Sequence, residues 1–240
     1  MRPGRWWASR RCSRRPTAAA LLLVGSIEIS DYLDFIVARQ NAAEFCAGLL
    51  TRLTAADAPE WEVLDLYNLP AASPTRAALL TGRNHHRVGF GSISEFLGPF
   101  PGYSSVKPRS CAALPRILHA NGYVTGGFGK WHLTPDSVQG AAGPFDHWPL
   151  GWGFDHFWGF LSGAAGQYDP VISQDNSVLG VPQGKDGNQY YFPDDLTDKA
   201  VEWLHAVRAQ DAEKPLMMYY STGATHAPHH VAKKWADKYK

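Results

Sequence analysis

The chain has 240 residues, 45% of them hydrophobic, with 23 Lys and Arg against 22 Asp and Glu for a formal net charge of +1. That length and apolar content suffice for one sizeable core, and near-neutrality gives no case for a nucleic-acid partner. No apolar stretch is long enough to span a bilayer, and no repeat or low-complexity block is present.

The N-terminal part stands apart in composition. Residues 1–15 carry six arginines and no acid, followed by a short apolar run at 18–24. This is compatible with a signal-peptide n-region cleaved after Ser26, and Arg10-Arg11 hints at a twin-arginine signal. The same richness in Arg, Ala, Pro and Trp is what a GC-rich reading frame yields out of register. The shortness of the apolar run favours a cytoplasmic location over export. Residues 31–67 place Leu33, Ile36, Val37, Phe45, Leu49 and Leu50 at partly helical spacing, which predicts one or two helices. The three cysteines, Cys12, Cys46 and Cys111, form no disulfide framework, and Cys111 reads as a core thiol.

Residues 72–83 read Ala-Ser-Pro-Thr-Arg-Ala-Ala-Leu-Leu-Thr-Gly-Arg. Ser73 suits an N-cap, Pro74 the first helical position and Gly82 the C-terminal stop. The start of such a helix presents free amides and a positive dipole end, and Arg76 adds a charge one turn in, an arrangement that suits an anion. The alternative is an ordinary capped helix with a solvent-facing arginine. A second helix is predicted over 114–120, with Pro115 near its start and Asn121-Gly122 ending it. A strand follows from about Tyr123. It leads into Gly129-Lys130-Trp131-His132-Leu133, where Lys130 and His132 share one side if the backbone stays extended; the alternative is an exposed Lys and a satisfied His.

Residues 148–160 interleave aromatics with glycines, read as packed core and turn, and Asp175-Asn176 reads as loop. Leu196, Ala200, Trp203, Leu204 and Val207 recur at helical spacing, with Asp194 and Asp195 ahead of them as acids favourable to the helix dipole. Residues 215–221 form an apolar run too short for most helices, predicting a buried strand that delivers His226 at its C-terminal end. His226, His229 and His230 lack the i,i+4 pair of a helical zinc motif, and Pro228 breaks any helix through them. His229 and His230 read as rim residues.

Three of these segments resemble the sulfatase family: Ala-Ser-Pro-Thr-Arg at 72–76, Gly-Lys-Trp-His-Leu at 129–133, and His-Ala-Pro at 226–228. The likeness covers about residues 72–240. It implies a partial alkaline-phosphatase-like α/β sandwich, with a mixed sheet and helices on both faces. Residues 1–70 are then an unmatched segment and 71–240 a partial catalytic domain. The implied activity is sulfuric ester hydrolysis of the arylsulfatase type on a small-molecule sulfate ester. The implied catalytic residues are Arg76, Lys130, His132 and His226, with Ser73, Thr75, Lys130 and His226 contacting substrate.

The family's pattern is Cys-x-Pro-x-Arg, whose Cys becomes the nucleophilic formylglycine; here that position is Ala72. The resemblance also implies calcium, held by an early Asp-Asp pair and a late Asp-Asn pair. Neither pair is recognisable, since Asp31 and Asp34 are not adjacent and Asp175-Asn176 precedes His226. No metal ligand is therefore assigned. The expectation is a sulfatase-family hydrolase impaired at Ala72, a non-catalytic sulfate-ester-binding module, or a truncated or frame-disrupted gene product. Rescue of the nucleophile by Ser73 would remove it from its capping position.

Overall fold

The computed structural model describes residues 20–22, 63–65, 73–184, 187–224 and 226–239. The expectations at Ala72, at Cys12 and Cys46, and for helices over 31–62 lie outside the described residues. The chain divides into two compact units, residues 1–70 and 71–240. In the first, strand β1 (Ala20–Leu22) pairs in parallel with β2 (Val63–Asp65). The tail of the stretch predicted helical is thus a strand, because periodicity in so short an apolar run does not separate the two states.

The second unit is built on a five-stranded mixed sheet of order β6-β5-β4-β3-β7. Its strands are β3 (Val124–Lys130), β4 (His156–Phe160), β5 (Ile172–Gln174), β6 (Ser177–Gly180) and β7 (Leu216–Ser221). Central β3 pairs in parallel with both β4 and β7, whereas β4–β5 and β5–β6 are antiparallel. The β5–β6 hairpin has no counterpart in the sequence reading. It turns at Asp175, at φ +53°, whose carboxylate accepts the Phe157 amide at 2.8 Å.

Helix α1 (Ser73–Thr81) ends at Gly82, at φ +63°, and α2 (Leu114–Ala120) ends at Asn121-Gly122, with Gly122 at φ +87°. Both stops are the predicted ones. Helix α3 (Phe192–Gln210) buries Phe192, Leu196 and Ala200, and Trp203 of the same face stacks at a tilt on Phe128 of β3. Its first-turn Asp195 makes no capping bond; it accepts from the Trp158 indole at 3.0 Å and the Tyr190 hydroxyl at 2.8 Å, tying the helix to β4. Asp194 instead meets Lys234 at the start of the short α4 (Lys233–Ala236).

Two hydrophobic clusters divide the aromatic residues. One gathers Ala77 and Leu80 of α1 with Trp131, Trp148, Trp152, Phe154 and Phe157; the other gathers Phe128, Trp158, Phe160 and Ile172 with α3. Phe157 joins the first while Trp158 and Phe160 join the second, so β4 is covered on both faces and carries the near-continuous apolar run of such a strand. The 148–160 stretch is core, as its composition implied, and Cys111 is buried with a free thiol. β7 is a strand but not a fully buried one. Among the described residues it is the sheet edge, and its residues are half-buried or exposed.

Candidate functional site

α1 and the C-terminal end of β3 meet through one side chain. Arg76 is 4% exposed, and its Nη1 donates to the Lys130 carbonyl at 2.8 Å, to the Tyr219 hydroxyl at 2.9 Å and to Ser221 Oγ. The guanidinium therefore knits α1, β3 and β7 together, in place of the solvent-facing alternative. Ser73 does not cap. The helix starts at Ser73 itself, one residue earlier than predicted, and its fully buried hydroxyl accepts the Ser94 amide at 3.1 Å. The side-chain oxygen serves the loop after α1 instead of the helix's free donors. Thr75 is half-buried on the same helix.

Lys130 closes β3 and is 1% exposed. Burial pulls its ammonium down to about 8, the Arg76 charge adds to that, and Glu95 opposes both. Moving a charge out of water disfavours the charged form, so this lysine is easily neutralised in the absence of a bound anion. Gly129, at φ +105°, interrupts the pleat just before it, and no side chain would fit there: a Cβ would lie 2.0 Å from the Ser221 carbonyl.

The predicted extended geometry fails at His132, which sits at φ +59°. The ring is nonetheless drawn into the same group. It is 4% exposed, and its Nε2 lies 2.9 and 2.8 Å from the two oxygens of Glu95. Burial lowers the pKa of His132 and the Lys130 and Arg76 charges act the same way, while Glu95 resists. For Glu95 burial raises the pKa, yet the hydrogen bonds it accepts, that from His132 foremost, outweigh it, and the carboxyl stays below its ordinary value.

His226 is not bonded into this group. Its ring is exposed, with Nδ1 2.7 Å from the Ala227 carbonyl. Gly223, three residues before it, packs on Phe160 and lies near the Lys130 side chain, so the loop after β7 starts beside the site. His229 is exposed, whereas His230 turns inward, its Nδ1 accepting the Gln167 amide at 3.2 Å and its ring lying against Tyr168. His230 is therefore a packing residue more than a rim residue.

Glu95, Ser94, Tyr219 and Ser221 are the participants the sequence reading missed. Glu95 lies 37 residues from its histidine in a loop without motif. Ser221 carried a usable signal, as the last residue of a strand whose carboxyl end faces the site.

A calcium ion needs six to eight oxygen ligands, mainly carboxylates. Among the described residues no group of three or more His, Cys, Asp or Glu is gathered to hold a metal. Glu95, the carboxylate whose charge bears on Lys130, is already engaged by His132. The described residues do not fit that ion.

The family model described as Sulfatase matches residues 67–240. Among curated proteins the chain is similar to N-acetylglucosamine-6-O-sulfatase of Bacteroides thetaiotaomicron, 32% identical over 67% of this chain and 24% of that protein. It is also similar to human N-acetylgalactosamine-6-sulfatase, 32% identical over 68% of this chain and 32% of that protein. Among solved structures, Ps i-CgsB in complex with k-i-k-neocarrahexaose matches with a TM-score of 0.53 and 25% identity, covering 68% of this chain and 36% of that one. The chain spans about a quarter to a third of the length of the curated relatives it matches.

Proposed function

The chain belongs to the sulfatase family, and from that premise we propose that the meeting of α1 with the end of β3 holds the sulfate group of a sulfuric ester, Arg76 and Lys130 being its cationic contacts. One observation carries this reading. Two buried cations from two separate motifs are brought together, with Glu95 as the carboxylate set against them. Clustering like charges out of water costs free energy that an incoming anion offsets. The sulfate's non-bridging oxygens accept hydrogen bonds and carry the charge that the cations match.

Binding alone does not give turnover. Cations that grip substrate and transition state equally lower the dissociation constant without accelerating the reaction. Cleavage at sulfur needs an attacking oxygen, and Ala72 has only a methyl group where the family carries its nucleophile. We therefore read this chain as a sulfatase-family protein impaired in hydrolysis, and Ala72 favours a second reading, a non-catalytic module for sulfate esters. His226, Ser73 and Thr75 are assigned to the same substrate on the family resemblance, His226 from an exposed position outside the bonded group. The relatives named for sulfated amino sugars make a sulfated sugar the first natural class to try.

The test is hydrolysis of a chromogenic aryl sulfate, with calcium, by the purified chain beside an Ala72→Cys variant matured by a formylglycine-generating enzyme. Turnover by the variant alone is expected if Ala72 is what disables the scaffold. Turnover by the unaltered chain would sink the impaired reading. Absence of turnover in both, with sulfate binding that depends on Arg76 and Lys130, would leave the binding module. Absence of that binding would remove the site.

A further inference from the structure

Nδ1 of His132 is buried and has no hydrogen-bond partner among the described residues, although the other ring nitrogen is held by two carboxylate oxygens. An orphaned buried nitrogen on an otherwise well-tethered ring calls for an explanation. The chemistry of its partner supplies one. Glu95 is ionised and can only accept, so the proton between the two groups sits on Nε2. Burial, Lys130 and Arg76 all disfavour a second proton on the ring. What is left is a neutral imidazole whose Nδ1 presents a bare lone pair.

We propose that Glu95 is a positioning residue that locks His132 in the Nε2–H tautomer, making it an acceptor for a hydroxyl group and not a donor to the sulfate oxygens. This rests on the proposed sulfate site and divides its labour. Arg76 and Lys130 meet the anion, while His132 meets an O–H. Ala72 supplies no attacking hydroxyl, so in this chain that O–H belongs to the alcohol side of the ester, as a free hydroxyl of a sulfated sugar. A sulfate monoester is a monoanion with no proton left on its oxygens to offer Nδ1, so the two roles do not interchange.

The backbone is built around this contact. A Cβ on Gly163 would lie 2.1 Å from Glu95 Oε1 and 2.5 Å from His132 Nε2. Any side chain there would part the pair. The loop after β4 thus leaves room at Gly163 for the Glu95–His132 hydrogen bond.

The experiment is nitrogen-15 NMR of histidine-labelled full-length chain at neutral pH, with and without saturating inorganic sulfate. His132 should show a protonated Nε2 and an unprotonated Nδ1 in both states. Glu95→Ala, and independently Gly163→Ala, which keeps the carboxylate, should convert that single tautomer into a mixture and lower the pKa of His132. A dominant Nδ1–H in the free protein would overturn the proposal, as would protonation of Nδ1 on adding sulfate. A tautomer unchanged in folded Glu95→Ala would overturn it too. The free-protein spectrum decides the tautomer even if a variant fails to fold. If sulfate perturbs no resonance, the sulfate site fails while the tautomer assignment is still judged on the free protein.

Discussion

Arg76 is placed so that its charge weakens that of Lys130, and a bound anion relieves the strain. Lys130 is charged below about 8 and loses its proton above it. Sulfate affinity is therefore predicted to be level below that pH and to decline as pH rises through and beyond it, because the complex needs the ammonium. Isothermal titration with sodium sulfate from pH 6.5 to 10 measures this. Lys130→Met should bind weakly and flatten the profile. Arg76→Met should move the decline to higher pH, since the Arg76 charge is one of the influences holding Lys130 down. A profile that does not change between pH 7 and 10 would show that Lys130 is not the anion's partner. These two side chains could be named from the sequence through the family resemblance of their motifs. Glu95 could not, because a lone acid in an irregular loop has no pattern, and its role exists only where the chain returns to His132.

Among the elements, β3 carries the greatest constraint. Its Gly129 pairs with Gly159 of β4 on one side and with Ser221 of β7 on the other. Both glycines are needed there: a Cβ on Gly159 would lie 1.9 Å from the Gly129 carbonyl. Gly129→Ala is predicted to destabilise the second unit by about 3–5 kcal/mol, combining a clash with backbone and a disfavoured positive φ. Urea unfolding followed by tryptophan fluorescence would register it, and an unchanged midpoint would contradict the close approach of β3 to β7. The helix boundaries were legible because α1 and α2 stop at glycines that supply left-handed residues. Strand β4 was hidden inside an aromatic run, since a strand buried on both faces loses the alternation by which strands are recognised. The half-buried β7 was misjudged for the converse reason, its apolar composition suggesting two covered faces where, among the described residues, the sheet has its edge.

For the whole molecule, the site joins the layers of the sandwich, so its occupancy and the unit's stability should be linked. Inorganic sulfate at a hundred times its dissociation constant is predicted to stabilise the fold by about 2.7 kcal/mol, raising the melting temperature by roughly 5–10 °C. Differential scanning fluorimetry against sodium chloride of equal ionic strength tests this, and an equal rise with chloride would show general screening instead of a site. Family, sheet type and the motifs that hold Arg76, Lys130 and His132 followed from the sequence by itself, because glycine stops and short motifs are written within a few neighbouring residues. The burial of Arg76, the strand edge at β7, the diversion of Ser73 to Ser94 and the tether from Glu95 to His132 were decided by tertiary structure. Each depends on which distant segment arrives opposite, and contacts across tens of residues leave no local trace in composition or spacing.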